Sequence, residues 1–142
     1  MHKLLVPIDS SESAMRALEY AIRLAREHGS IALHIVHAHD LPLVYGEIAV
    51  YVSLDKAKEL QQQHSEDVLR PAIEKAEAAG VQCTREILTG HIPTAIAQCA
   101  KERGCDAIVM GTRGLGAIGN LVMGSVATQV IHLTTLPVTL VK

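Results

Sequence analysis

The sequence has few aromatic residues and no long apolar run. Its 142 residues include no Trp, no Phe and only three Tyr, so the base-stacking surfaces of single-stranded nucleic-acid binders cannot be built. The net charge is −2, and acidic and basic residues are interleaved, which leaves no basic stripe for a phosphate backbone or an anionic membrane. Apolar runs fall short of the roughly 18 residues that a membrane-spanning helix needs. We therefore expect neither a nucleic-acid nor a membrane partner.

Cysteine is also scarce. Cys83, Cys99 and Cys105 are odd in number and form no C-x-x-C pair, which favours reduced, buried thiols over a disulfide framework or a zinc site. The apolar run near the N-terminus is too short for a signal peptide. We expect a cytoplasmic protein.

Apolar residues make up 49% of the chain and charged residues 20%, which is typical of a globular protein and not of a disordered one. The length suits one hydrophobic core. We expect a single domain over residues 1–142.

The hydrophobic pattern predicts alternating strands and helices. Residues 10–29 carry apolar side chains at the i, i+3, i+4 and i+7 spacing of an amphipathic helix, and Gly29 provides its stop. The same reasoning gives predicted strands at 3–9, 31–38, 82–88, 107–112 and 138–141, a loop at 40–52, and further helices at 53–79, 93–103 and 125–133. On the long helix, the side chains expected to face inward are Leu54, Ala57, Leu60, His64, Val68, Ala72, Ile73 and Ala76.

This order is typical of an α/β fold, a three-layer doubly wound sheet of five parallel strands with four helices. The flavodoxin-like strand order 3-2-1-4-5 is the default. It places a topological switch point between the first and fourth strands, where ligands of such sheets bind.

A glycine-rich segment follows the fourth predicted strand. It reads Gly111-Thr-Arg-Gly114-Leu-Gly116-Ala-Ile-Gly119-Asn-Leu-Val-Met-Gly124-Ser125 and ends where a helix is predicted to begin. Helix N-termini attract anions through unpaired N–H groups and the helix dipole, and glycine lets the backbone approach phosphate oxygens closely. We therefore predict a phosphate cradle here, rather than glycines that merely turn a surface loop.

Two common phosphate motifs do not fit this segment. A Walker-type P-loop needs a lysine before its Ser or Thr, and Ser125 follows Met123-Gly124. The stretch from Gly114 to Gly119 matches G-x-G-x-x-G, but that dinucleotide fingerprint opens the first crossover of a larger sheet and requires a later acidic residue. No Asp or Glu follows Asp106.

The spacing Gly111-x2-Gly114-x9-Gly124-Ser125 resembles the nucleotide motif G-2x-G-9x-G(S/T) of the universal stress protein family. The opening VPIDSSESA and the final Leu136-Pro137-Val138 are similar to that family as well. The resemblance spans the whole chain and implies a fold like that of the adenine nucleotide alpha-hydrolases. Since all marker positions of the motif are present, it points to the ATP-binding branch.

The resemblance also implies which residues would contact an adenine nucleotide. An Asp at the end of the first strand and a residue near the end of the second would lie beside the adenosine, and the spaced glycines with the Ser would hold the ribose and phosphates. Transferred by position, the expected nucleotide-binding residues are Pro7, Asp9, Ala38, Met110, Gly111, Arg113, Gly114, Gly124, Ser125, Val126 and Ala127.

The leading hypothesis is therefore a universal stress protein that binds ATP, with or without Mg²⁺, as a nucleotide-dependent stress-response or signalling module. Fast phosphoryl transfer needs a positioned cation and a group that orients the nucleophile, and only Arg113, Asp9 and a recruited Mg²⁺ are candidates. We expect slow hydrolysis or none, with no assigned catalytic residue, and autophosphorylation as a family-level possibility. The alternatives are a nucleotide-free, chaperone-like interaction module and a slow ATPase.

The histidines of HIVHAH suggest a further possibility. On a strand, His37 and His39 would share one face and His34 the other. A metal site there would need a third ligand such as Asp40, His2 or Cys83, so packed histidines are the favoured interpretation. His91, just before the third helix, is expected either at the crevice rim or in a solvated loop.

The last predicted strand carries almost no charge. Charged side chains normally protect sheet edges from pairing with other chains. We expect a homodimer that forms through this C-terminal strand, as the family resemblance also implies.

Overall fold

The computed structural model describes residues 2–40, 54–113 and 123–142. In these ranges the strands are β1 (Lys3–Pro7), β2 (Ala32–His39), β3 (Cys83–Thr89), β4 (Ala107–Gly111) and β5 (Val138–Val141). The helices are α1 (Glu12–His28), α2 (Leu54–Ala78), α3 (Ile92–Glu102) and α4 (Ser125–Leu133). The loop predicted at 40–52 and the predicted first residue of the long helix, Ser53, fall almost wholly outside the described residues.

The strands form one parallel sheet in the order β3-β2-β1-β4-β5. This order confirms the predicted fold class. β1 lies in the middle of the sheet and pairs with β2 on one side and β4 on the other. The switch point therefore lies between β1 and β4.

Side chains that alternate along the strands divide the core into two halves. Leu4, Val6 and Ile8 pack with α1 and α2 on one face of the sheet. Leu5 packs with α3 and α4 on the other face. Apolar side chains on both faces of these parallel strands are what a sheet covered by helices on both sides requires.

Local signals in the sequence place the bounds of α1. Ser11 is its N-cap, and the hydroxyl accepts a hydrogen bond from the N–H of Ala14 at 3.2 Å. Gly29 ends the helix with φ of 69°, a left-handed conformation that glycine adopts without steric cost. The predicted stop at Gly29 is confirmed.

The inward face predicted for the long helix is partly wrong. Leu54 and Leu60 are each 54% exposed, whereas the buried side chains of α2 include Ser65 and Leu69. At 25 residues, α2 is about 37 Å long. β2, with its 8 residues, spans only about 26 Å. The helix is longer than the strand that it covers, so its first turn, with Leu54, passes beyond the sheet. Leu60 lies nine residues before Leu69 and therefore faces the opposite side of the helix.

The two leucines of α2 give a direct test of this packing. Leu69 is fully buried, and we expect Leu69→Ala to lower the free energy of unfolding by about 2–5 kcal/mol through lost contacts and a residual cavity. Leu60→Ala, the same change on the exposed part of the helix, should stay within about 0.5 kcal/mol of the parent. Urea denaturation measures both, and equal losses would contradict the described packing.

Candidate functional site

The candidate site lies at the carboxyl ends of β1 and β4. Pro7 is the last residue of β1, and Gly111 is the last residue of β4. From these ends the chain continues to opposite faces of the sheet, since α1 packs in one core half and α4 in the other. The divergence opens a crevice at the switch point, as expected for this strand order.

Asp9 is held in a tight turn between β1 and α1. One oxygen of its carboxylate, Oδ1, accepts hydrogen bonds from the Ser11 N–H at 3.0 Å and from the Ser11 hydroxyl at 2.5 Å. Ser10, between them, has a φ of 70°, an uncommon left-handed conformation for a residue other than glycine. Strained backbone of this kind concentrates at functional sites. The turn thus fixes a carboxylate at the mouth of the crevice.

The end of β4 lies in very close contact with the start of α1. A Cβ atom on Gly111 would lie 2.4 Å from Ser13 Oγ, 2.7 Å from Ser13 C and 2.8 Å from Ala14 N. The buried Ser13 hydroxyl donates a hydrogen bond to the carbonyl of Arg113 at 2.5 Å. Gly111 is therefore required for the close approach of the β4 backbone to the α1 backbone. The hydrogen bond from Ser13 holds the segment that follows Gly111 against α1.

The first turn of α4 has no side-chain cap. Gly124 is its N-cap residue and provides no side-chain hydrogen bond, and the Thr128 N–H closes the first turn on the Gly124 carbonyl. The Gly124 N–H donates to the Thr112 carbonyl at 2.5 Å, which ties the helix start to the end of β4. The first N–H groups of a helix have no hydrogen-bond acceptor within that helix. In α4 these are the N–H groups of Ser125, Val126 and Ala127. This end of α4 has the geometry of an anion site.

These elements enclose a cavity of about 360 Å³. Its volume is in the range of small-molecule sites, roughly 300–1,000 Å³. The expected nucleotide-binding residues lie together along it, namely Pro7, Asp9, Ala38, Met110, Gly111, Arg113, Gly124, Ser125, Val126 and Ala127. Gly114, the remaining expected residue, lies outside the described residues.

Several lining residues were not expected from the sequence. They are Ile8, Ser11, Ala14, Ile92, Ile96 and Thr112. Ile92 and Ile96 come from α3, whose first turn follows β3 at the same edge of the sheet. Their i, i+4 spacing was visible in the sequence, but it is equally typical of a helix that only packs on the core.

The predicted histidine positions are confirmed in part. His34 contacts Thr84 and Glu86 of β3, while His37 lies on the other face, with its ring centroid 6.0 Å from that of His64 in α2. Among the described residues, Asp40, His2 and Cys83 do not belong to a group of three potential metal ligands. His91 is the N-cap residue of α3, bonded to Thr94, and does not line the cavity.

His37 forms a hydrogen bond to the backbone immediately after β1. Its Nδ1 is 2.7 Å from the Ile8 carbonyl, and because a carbonyl only accepts, Nδ1 carries the proton. Desolvation of the buried ring lowers the pKa of His37, although the hydrogen bond to Ile8 acts in the opposite direction. The neutral imidazole thus holds the residue that precedes Asp9.

None of the helices in the described ranges is long and apolar enough to cross a membrane.

Comparison with known proteins gives one family. Residues 1–142 match the model of the universal stress protein family. Universal stress protein YxiE of Bacillus subtilis is 33% identical over 147 residues, covering 99% of this chain and 99% of that protein. The structure of MJ0577 from Methanocaldococcus jannaschii superposes with a TM-score of 0.86 at 24% identity, covering 99% of this chain and 94% of that one. The universal stress protein from Archaeoglobus fulgidus in complex with dAMP has a TM-score of 0.70 at 26% identity, covering 100% and 98%.

The contact at Gly111 predicts a specific defect. We expect Gly111→Ala to lower the free energy of unfolding by about 1–3 kcal/mol, the usual cost of overpacking, because the new methyl group meets atoms closer than 3 Å. Urea denaturation measures the change. Since two of those atoms are backbone, a second change of Ser13→Ala should not restore stability. Restoration by Ser13→Ala would show that the side chain alone causes the clash.

His37 predicts a pH dependence of stability. Its folded pKa is lowered, so on acidification the unfolded chain takes up a proton first, near its ordinary value of about 6.5. The free energy of unfolding should therefore fall as the pH drops below that value. His37→Gln, which keeps a donor for Ile8, should flatten the profile relative to the parent.

The control for this measurement is His28→Gln in the exposed last turn of α1. Since His39, His64 and Asp9 all act on His37, the comparison is made between denaturation profiles and not at one pH. An unchanged profile in His37→Gln would contradict the assignment.

Proposed function

The chain belongs to the universal stress protein family, and we propose that it binds ATP or a related adenine nucleotide in the cavity between β1 and β4. In this proposal, nucleotide occupancy alters how the protein associates, and the protein acts as a stress-response or signalling module. The observation that carries the proposal is the meeting of an anchored carboxylate, an apolar wall and an uncapped helix N-terminus in one cavity.

The phosphates would bind at the start of α4. The N–H groups of Ser125 and its neighbours, together with the Ser125 hydroxyl, can donate three or four charge-assisted hydrogen bonds. At about 1.5–3 kcal/mol each, these supply roughly 5–12 kcal/mol. Association costs about 4–15 kcal/mol, so phosphate contacts alone do not hold the nucleotide.

The adenosine must therefore contribute binding energy. Ala38, Ile92, Ile96 and Met110 form an apolar wall along the same cavity, which suits a flat base. The Asp9 carboxylate is fixed through Oδ1, and a ribose hydroxyl or adenine amino group is a suitable donor for its other oxygen. The dAMP complex of the Archaeoglobus fulgidus relative supports an adenine ligand. We expect a dissociation constant in the micromolar range, about −8 kcal/mol.

Turnover by this site would be slow. Among the described residues, Arg113 is the cationic side chain that lines the cavity, and no described lysine does so. Mg²⁺ would bind together with the phosphates and would neutralise their charge. Asp9 is the carboxylate of the cavity that is available to the ion. The site thus supports binding better than phosphoryl transfer.

Calorimetric titration tests the phosphate contacts. On protein stripped of carried-over ligand, we expect Ser125→Pro to weaken ATP binding more than Ser125→Ala, because proline removes both the hydroxyl and an N–H yet is tolerated in the first position of a helix. Each lost contact is worth about 1.5–3 kcal/mol, a factor of roughly 10–150 in affinity. Ser30→Ala, exposed at the other end of the sheet, is the control.

Adenosine separates the two parts of the site. Adenosine has no phosphate, so it should bind more weakly than ATP, and Ser125→Pro should not change its affinity. Ala38→Leu should abolish adenosine binding, because the larger side chain occupies the space beside the apolar wall. No heat from ATP with the stripped parent protein would refute nucleotide binding and favour the chaperone-like interaction module. Hydrolysis above background that is abolished by Asp9→Asn would instead favour the slow ATPase.

We also propose that β5 forms a homodimer interface. Both β3 and β5 are edge strands, but β3 carries Arg85 and Glu86, whereas β5 consists of Val-Thr-Leu-Val. The carbonyls of Pro137 and Val141 bond to β4, so the intervening Val138 and Leu140 direct their backbone groups to the open edge. An uncharged edge of this kind suits pairing with a second copy.

Thr139 offers a test of the dimer. Its side chain is exposed, so Thr139→Asp should leave the monomer folded, while in an antiparallel pair of β5 strands the two new carboxylates would repel each other. We expect sedimentation equilibrium at micromolar concentration to show a dimer for the parent and a monomer for this variant. Thr135→Asp, exposed and outside β5, should remain dimeric. A monomeric parent would refute the interface.

A further inference from the structure

A second cluster of reactive side chains lies apart from the nucleotide cavity. His34 of β2, Glu86 of β3 and Cys99 of α3 meet between the sheet and that helix. Glu86 Oε1 is 2.9 Å from His34 Nε2 and 3.6 Å from Cys99 Sγ. Among the described residues, this is the group of three potential metal ligands whose donor atoms all lie within 4.8 Å of one another.

Two of the three distances between these donor atoms are close to those of a tetrahedral metal site, and the third is no longer than 4.8 Å. Zinc bonds are about 2.0–2.1 Å to nitrogen or oxygen and 2.3 Å to sulfur, so neighbouring ligand atoms are roughly 3.3–3.7 Å apart. The observed contact between sulfur and carboxylate is 3.6 Å. The contact between imidazole and carboxylate, 2.9 Å, would need to open by only a few tenths of an ångström.

The donor set favours one class of ion. Imidazole nitrogen, thiolate sulfur and a carboxylate oxygen together suit Zn²⁺ or its spectroscopic substitute Co²⁺, and not Mg²⁺ or Ca²⁺, which take oxygen ligands. His34 and Cys99 are buried, and the three ligands, with Glu86, come from three different elements of the fold. A preformed group of ligands reduces the ordering cost of binding.

His34 is also oriented as metal-binding histidines usually are. Its Nδ1 is 2.6 Å from the Thr84 hydroxyl, so a proton on Nδ1 can be donated to Thr84 while Nε2 presents its lone pair to a metal. Hydrogen bonding of the far ring nitrogen fixes the tautomer and the ring plane in such sites.

Arg103 competes with a metal ion for the carboxylate of Glu86. Its Nε donates to Glu86 Oε1 at 2.9 Å, and its Nη2 donates to Oε2 at 3.0 Å. Both carboxylate oxygens of Glu86 thus accept hydrogen bonds from the guanidinium group of Arg103, a geometry typical of an ionised carboxylate. The Arg103 side chain is 53% exposed and can turn away from Oε1 while it keeps Oε2.

We propose that His34, Glu86 and Cys99 form a Zn²⁺ site in which Oε1 exchanges its arginine and imidazole hydrogen bonds for a bond to the metal. On binding, the Cys99 thiol loses its proton to solvent, and the imidazole proton moves by solvent exchange from Nε2, which faces Glu86, to Nδ1, where it is donated to the Thr84 hydroxyl. Sulfur, nitrogen and oxygen then provide three ligands, with water as the fourth. No electron is transferred. This places a thiolate-ligated metal on the β2, β3 and α3 side of the fold, independent of any nucleotide.

Co²⁺ titration of chelator-treated, nucleotide-free protein tests the site. We expect the near-ultraviolet charge-transfer band of a cobalt thiolate and the strong visible bands of tetrahedral cobalt, both abolished by one equivalent of Zn²⁺. Cys99→Ala should lose the charge-transfer band and bind Zn²⁺ more weakly by over about 100-fold, since even an outer hydrogen-bond partner of a ligand is worth roughly 10–100-fold. Cys105→Ala, which removes another buried thiol, should behave like the parent.

Arg103→Gln separates a metal site from an ion pair. This variant keeps every ligand and removes the competitor, so Zn²⁺ affinity should rise several-fold although the cluster has lost its salt bridge. Affinity equal to or below that of the parent would overturn the role of Glu86 and with it the site. So would a charge-transfer band that persists in Cys99→Ala, or a parent protein that shows no band. Circular dichroism of each apo variant verifies that it is folded.

Discussion

The close approach of β4 to the start of α1 is the constraint on which the candidate site depends. Because Gly111 has no side chain, the end of β4 lies against Ser13 and Ala14, and the Ser13 hydroxyl bonds to the carbonyl two residues beyond the strand. That contact sets the distance between the turn that carries Asp9 and the segment that leads to α4. The carboxylate and the helix N-terminus thus face one cavity because two backbones can touch at one glycine.

The same geometry explains how the cavity could hold the phosphates of the proposed nucleotide although no lysine of the described residues lines it. Phosphate charge can be balanced by oriented N–H groups, which the N-terminus of α4 provides without a capping side chain. Backbone dipoles are ordered by the fold itself, so they require little rearrangement on binding. They also provide no strong positioned cation for a transferred phosphoryl group, and for that reason the proposed function is nucleotide binding and not cleavage.

The strand order and the stop of α1 at Gly29 could be predicted from the sequence, because they depend on local patterns: apolar alternation and a glycine at the helix end. The set of expected site residues came from the family resemblance, which the glycine spacing at the end of β4 indicated. The misplaced residues depend on tertiary geometry. Leu54 shares the helical phase of the buried Ser65 but lies in the first turn, where α2 passes beyond the sheet, which no periodicity reveals. Ile92 and Ile96 reach the cavity only because α3 begins at the same sheet edge.

The cluster around His34 also depends on contacts between residues that are far apart in the sequence, and local patterns do not reveal such contacts. The HIVHAH segment suggested a metal with Asp40, His2 or Cys83 as the third ligand. The groups that meet His34 are instead Glu86, 52 positions further along the chain, and Cys99 of α3. They meet because β2 and β3 are in parallel register and α3 covers that face. Ala38 and Ile96, which line the cavity, lie on the same strand and helix as His34 and Cys99. One strand and one helix thus contribute both to the apolar wall of the cavity and to the separate polar cluster around His34.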